Sequence, residues 1–209
     1  GAPAGRGGAV VLIGPPGAGC TSVGRALAQA TGAPFADLAA AVAAELGTGP
    51  DLALVAAGER RYRRVEALAA RALLEEALRR GGVVALGSGC LTDTDVRALL
   101  RRLTAGGGRV VALTASARRL AGRNGLDAPR SVALGNVHHT FMQMLRAREA
   151  ACRELTSLNL DTTDTTPEQA AASVLREQDD AGDGARPPGA PGTPETTRSD
   201  PGPSRSATA

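Results

Sequence analysis

Residues 9–13 form a short apolar run, Ala-Val-Val-Leu-Ile. It leads directly into Gly14-Pro15-Pro16-Gly17-Ala18-Gly19-Cys20-Thr21, and helical periodicity follows. Few features constrain a fold more tightly. An apolar run rich in β-branched residues reads as a buried parallel strand. A glycine loop that re-enters as a helix presents successive backbone N–H groups, together with the positive end of that helix, to an anion. The loop follows the phosphate-binding pattern G-x-x-x-x-G-K-S/T. Gly14, Gly19 and Thr21 are in register, and Cys20 stands where the pattern has lysine.

Val23, Leu27 and Ala30 share one face of the helix after the loop, with Arg25 and Gln29 off it. Strand and helix signals then alternate along the chain. Strands are predicted over residues 33–36, 83–86 and 110–113, with a candidate edge strand at 157–160. Helices are predicted over 59–80, 95–103 and 136–154, and from Pro167 onward, where proline suits a first helical turn. In the 59–80 segment Val65, Leu68, Ala69, Ala72 and Leu73 recur at helical spacing. Alternating β and α implies an α/β domain, a five-stranded parallel sheet with helices on both faces.

The 209 residues suffice for one such domain, and 43% are hydrophobic, enough for its core. Residues 179–209 contain six prolines and five glycines and almost no large apolar side chain, so they read as a disordered tail. Residues 1–8 read as a flexible lead-in without the apolar core of a signal peptide. The folded domain is therefore expected over residues 9–178. No apolar stretch approaches the roughly 18 residues of a membrane span. The aromatic residues are Phe35, Tyr62 and Phe141 only, and the net charge is +3, so base stacking and nucleic-acid binding are not expected.

All 24 basic residues are arginine, so no lysine elsewhere can replace the one missing from the loop. Cys20, Cys90 and Cys152 are far apart and form no C-x-x-C pair, which fits neither a disulfide framework nor a zinc site and points to a reducing cytoplasm. His138 and His139 are adjacent, cannot share one helix face, and are not expected to hold a metal.

Further elements occur in order. Phe35-Ala36-Asp37-Leu38-Ala39 matches most of F-x-D-x-D, and Gly58-Glu59-Arg60-Arg61-Tyr62-Arg63 matches G-E-x-x-F-R with tyrosine for phenylalanine. Gly87-Ser88-Gly89 occupies a G-G-G turn, Arg123 and Arg130 carry the spacing R-x(6)-R, and Arg148 opens an R-x-P-L-Y element that here ends in Cys152. In these motifs and separations, from about residue 10 to 175, the chain resembles the shikimate kinase family. That family is a small P-loop group akin to the nucleoside monophosphate kinases.

The resemblance implies a P-loop kinase fold with a mobile lid, working as a monomer. It implies transfer of the ATP γ-phosphoryl group to the 3-hydroxyl of shikimate, or a similar small carboxylate, with Mg²⁺. By the same resemblance Gly17, Ala18, Gly19, Cys20, Thr21 and Ser22 would wrap the ATP phosphates, with Arg123 and Arg130 contributing from the lid side. Thr21 and, through water, Asp37 would hold Mg²⁺, and Asp37 and Arg130 would be catalytic. Arg63 and Arg148 would clamp the substrate carboxylate, where a planar guanidinium suits bidentate binding. Gly87, Ser88 and Gly89 would border the substrate, the glycines allowing close backbone approach.

Two departures fall on the chemistry. The family's loop lysine neutralises charge between the β- and γ-phosphates, and phosphoryl transfer depends mostly on positioning and electrostatics. Cys20 carries no such charge, and at a helix N-terminus its thiol is expected to ionise more easily and to repel phosphate. Ala39 replaces an aspartate that would orient the acceptor hydroxyl and take its proton. Milder departures are Ser88, the residues after Arg130, and Cys152 for tyrosine. Three readings follow: a working kinase in which Arg123 or Arg130 reaches into the lysine's place, a non-catalytic relative that binds nucleotide or a carboxylate metabolite, or a kinase for another small alcohol.

Overall fold

The structure, a computed structural model, describes residues 8–50, 52–125, 132–156 and 158–183. Five strands are present: β1 (Val10–Ile13), β2 (Phe35–Asp37), β3 (Val83–Ala85), β4 (Arg109–Thr114) and β5 (Leu158–Asp161). The longer helices are α1 (Cys20–Thr31), α4 (Glu59–Arg80), α5 (Thr94–Ala105), α7 (Val132–Arg153) and α8 (Pro167–Asp183). The shorter ones are α2 (Leu38–Leu46), α3 (Ala53–Ala57) and α6 (Ala117–Arg123).

The strands pair in the order β2-β3-β1-β4-β5, and every pair is parallel. β1 is central and all four of its side chains are buried, as a strand covered on both faces requires. Alternation sends Val11 and Ile13 into one core, with Val84, Leu74 and Leu100, while Val10 and Leu12 enter the other with Leu27, Val111 and Val174. The first core is closed chiefly by α4 and α5, the second by α1 and α8.

After β1 the chain runs outward to β2 and back to β3, then crosses to β4. The strand order therefore reverses beside β1, and the C-terminal ends of the strands open there into a crevice, the usual ligand position in such sheets. The glycine loop, Asp37, the 87–89 turn, the start of α6 and Thr162 all follow strand ends on this edge.

The five-stranded parallel sheet agrees with expectation, and α4 has the predicted limits. Other boundaries moved for local reasons. The second strand lies at Phe35–Asp37 rather than 33–36, because α1 ends only at Gly32 and Pro34 has no N–H for the ladder. Leu68 was read as part of the apolar face of α4, yet it is 59% exposed. The buried stripe instead runs through Glu66, Ala70, Leu74 and Ala77, and Leu68 lies two residues round the helix from it. Helix α8 runs through Asp183, past the composition change at Asp179.

Candidate functional site

The crevice is a hollow of about 760 Å³, lined by the glycine loop, Asp37, Arg63, Glu66, residues 87–89, Arg123, Arg148 and Thr162. The structure thus gathers in one place every site residue named from the sequence that it describes. Arg130 lies outside the described residues.

The loop is held from behind. Asn124 Nδ2 donates to the Pro16 carbonyl at 3.0 Å, Arg123 Nη1 to Gly17 at 2.8 Å, and Thr162 Oγ1 to Ala18 at 2.8 Å. No peptide bond among the described residues is cis. In a trans peptide the N–H points opposite to the carbonyl. Tethering three successive carbonyls therefore turns the N–H groups of Gly17, Ala18 and Gly19 the other way. Ala18 N–H closes a turn onto Pro15 at 3.1 Å. Gly19 sits in the left-handed region (φ +97°, ψ 21°) as the N-cap of α1, a conformation that favours glycine. The first N–H groups of α1 add to this anion-binding nest.

Cys20 opens α1 with its side chain turned toward the floor: Sγ lies 3.4 Å from where a Cβ on Gly14 would stand. Burial pushes its thiol up from 9.0 to about 12, the neighbouring Cys152 adds to the rise, and a hydrogen bond from Gly87 N–H opposes it. The expected thiolate is therefore overturned. Desolvation outweighs the helix end, and Cys20 is a neutral group near neutral pH. What the loop lacks is a cation; it has not gained an anion.

The acceptor side is a basic wall. Arg63 and Glu66, one turn apart on α4, pair at 2.7 Å, with Glu66 only 7% exposed. Burial alone would lower the Arg63 guanidinium, but the hydrogen bond and charge of Glu66 outweigh it and hold Arg63 above its ordinary value. Arg148 on α7 has no carboxylate in contact among the described residues. Burial, and then the like charge of Arg63, hold it below its ordinary value. An anion between the two guanidinium groups relieves that repulsion.

Gly89 explains itself in this wall. A Cβ there would stand 2.5 Å from Arg63 Nη1 and 2.6 Å from Glu66 Oε1, so the close approach that requires glycine is to the protein's own ion pair. Gly87 (φ +69°) meets nothing nearer than the Gly14 carbonyl at 4.0 Å. Ser88 is buried, and its Oγ has no hydrogen-bond partner among the described residues.

Asp37 caps α2 through one oxygen, Oδ1, which accepts from Ala39 N at 2.9 Å and Ala40 N at 3.4 Å. Oδ2 takes no part in the cap, and Asp37 lines the hollow together with Thr21. Ala39 presents no polar group. Arg123, offered from the sequence as a substitute for the lysine, is committed elsewhere, donating to Gly17 O and, at 3.0 Å, to Thr162 O.

Glu66, Asn124 and Thr162 escaped the sequence reading. Glu66 had a usable signal, three residues after Arg63 on a predicted helix. Thr162 had a weaker one, its place just after a strand's C-terminal end.

A parallel sheet with a glycine loop at its reversal point, facing a basic wall, defines the P-loop kinase class of fold. Residues 16–179 match the shikimate kinase family model, and the chain belongs to that family. The shikimate kinase of Thermobifida fusca is 38% identical over 174 residues, covering 83% of this chain and 96% of that protein. That of Mycobacterium avium is 36% identical over 160 residues, covering 75% and 85%. The structure of Acinetobacter baumannii shikimate kinase in complex with shikimate shares the fold. Its TM-score is 0.70 at 23% identity, with 84% of this chain and 95% of that one covered.

Proposed function

We propose that this protein binds ATP and a small hydroxylated carboxylate of the shikimate type, and transfers the γ-phosphoryl group to the 3-hydroxyl slowly. The observation that carries the reading is a hollow lined by the glycine loop, Asp37, Arg63 and Arg148, with a neutral, buried thiol where its cation should be. The loop N–H groups take the phosphates, and Arg63 and Arg148 take the acceptor carboxylate. The donor set fits a magnesium ion: Thr21 offers a hydroxyl and Asp37 a carboxylate oxygen free of its capping role. Bound there, Mg²⁺ would draw charge from the phosphate oxygens. With Asp37 given to the ion and Glu66 tied to Arg63, no carboxylate among the described lining residues is left to take the acceptor proton, which slows the transfer further.

The rate follows from the missing charge. A unit charge about 4 Å from a phosphate oxygen is worth roughly 4 kcal/mol at an effective dielectric of 20. That is about a thousandfold in rate. The test is a coupled ADP-release assay with shikimate, ATP and Mg²⁺, run beside the Thermobifida fusca enzyme. Turnover at least about a thousandfold lower is expected, since the loss of the acceptor-side carboxylate at Ala39 adds to that of the cation, and parity would overturn the reading.

A second reading, a kinase for a different alcohol, is favoured by one pair of observations. Ala39 removes the acceptor carboxylate, and Ser88, which lines the same hollow, has a buried hydroxyl without a partner among the described residues. A panel of hydroxylated carboxylates in the same assay separates the two. Binding of ATP and shikimate by calorimetry, without turnover on any alcohol, would make the chain a non-catalytic metabolite-binding relative.

A further inference from the structure

The Ala18–Gly19 peptide is a unit of the loop able to turn over. One of its flanking residues is glycine, for which left-handed and right-handed conformations are nearly equal in energy. Gly19 holds φ +97° here, and its N–H opens into the anion hollow only while the Ala18 carbonyl points away. Turning this peptide over would replace a donor with a carbonyl oxygen facing phosphate. The strand and helix on either side do not prevent this, because the rotation is local to two dihedrals.

One side chain holds the peptide. Thr162 is 3% exposed, and its Oγ1 lies 2.8 Å from Ala18 O and 3.0 Å from Thr114 O, so its single proton is shared between the two carbonyls. Its own N–H donates to Thr114 O at 2.7 Å, fixing the residue to the end of β4. Thr162 therefore ties the ends of β4 and β5 to the loop. The neighbouring tethers hold the two preceding carbonyls, through Arg123 on Gly17 and Asn124 on Pro16.

We infer that Thr162 is a positioning residue for nucleotide binding, its hydroxyl locking the Ala18–Gly19 peptide so that Gly19 N–H stays turned to the phosphates. Thr162 does this through its hydrogen bond to the Ala18 carbonyl, on the side of the peptide opposite the Gly19 N–H. The inference rests on the hollow being a nucleotide site.

The test is calorimetric titration of ADP into the whole protein and into Thr162→Val and Thr162→Ser. Valine keeps the shape and loses the donor; serine keeps the donor and loses the methyl group. ADP affinity falls about tenfold in Thr162→Val and by less than threefold in Thr162→Ser, while shikimate affinity stays unchanged in both. Equal ADP affinity in Thr162→Val, or an equal loss in Thr162→Ser, overturns the inference and leaves the functional reading standing. If the unaltered protein binds no ADP, both fall. If Thr162→Val does not fold, amide NMR of the unaltered protein decides. The Gly19 N–H resonance moves downfield on addition of ADP, and a resonance that stays in place overturns the inference.

Discussion

Arg63 Nη1 lies 2.7 Å from Glu66 Oε2, while Arg148, across the same hollow, has no carboxylate within ion-pair distance among the described residues. One guanidinium is neutralised by the fold and the other is left for a ligand. Glu66 also keeps two arginines from facing each other unscreened, which lets the wall exist before the substrate arrives.

Replacing Arg148 should therefore help the fold and harm the function. Arg148→Met removes a partly buried charge whose ionised form is opposed first by burial and then by Arg63. Melting should rise by about 2–4 °C, the shift of about 1 kcal/mol in a domain of this size. Shikimate affinity should fall by about 30-fold, the loss of about 2 kcal/mol from a charge-assisted contact. Thermal melting and calorimetry check both halves. A lower melting temperature with unchanged affinity would show that Arg148 is a structural group.

Cys20→Lys should raise phosphoryl transfer to shikimate by about 100- to 1000-fold, because the loop regains the charge worth roughly 4 kcal/mol. Cys20→Met, of similar length and without charge, should leave the rate low. Adding Ala39→Asp to Cys20→Lys should give a further gain by restoring the acceptor-side carboxylate, within the 100- to 10,000-fold range of general-base effects, as an order of magnitude. The coupled ADP-release assay reads all three. A Cys20→Lys variant as slow as Cys20→Met would mean that the deficit lies elsewhere.

The buried thiols set an alkaline limit. Burial pushes Cys20 up from 9.0 to about 12, and Cys152 to about 11. A group whose folded value is raised favours the fold below its unfolded value, and that contribution is lost as pH rises. Stability should accordingly fall from about pH 9 toward pH 12. Urea denaturation across that window should show a shallower fall in Cys20→Ala, with Cys152 and Cys90 supplying what remains. An unchanged slope in Cys20→Ala would mean that burial does not raise the Cys20 thiol above its unfolded value.

Much of this site was legible because its parts lie close together in sequence. The loop from Gly14 to Thr21 carries its own geometry, and Arg63 and Arg148 stand in motifs with fixed spacing. The buried central strand could be read from five residues. What stayed hidden depends on distant contacts. Thr162 meets Ala18 across 144 positions, and Asn124 meets Pro16 across 108, so no local pattern announces either. The Cys20 thiol was misjudged for the same reason. Its helix end is visible in sequence, but the Gly14, Gly87 and Cys152 surroundings that bury it are not. Helices α2 and α3, rich in alanine and leucine around Gly47 and Gly49, gave little periodicity to read.

Away from the hollow, Asp93 carries two roles that a pair of substitutions can separate. Its Oδ1 accepts from Asp95 N and Val96 N, both at 3.0 Å, capping α5, while its carboxylate pairs with Arg71 at 2.6 Å. The hydrogen bond from Arg71 holds it below the ordinary carboxylate range. A lowered value stabilises the fold above the unfolded value, and that contribution is lost as pH falls through the folded one. Asp93→Ala removes cap and charge together and should cost about 1–2 kcal/mol at pH 7. Asp93→Asn keeps a capping oxygen, so it should cost less than alanine at pH 7 and flatten the acid side of the stability profile. Denaturant unfolding at pH 7 and pH 3 distinguishes the two. If asparagine and alanine are equally destabilising at pH 7, the ion pair with Arg71, rather than the cap, holds the start of α5.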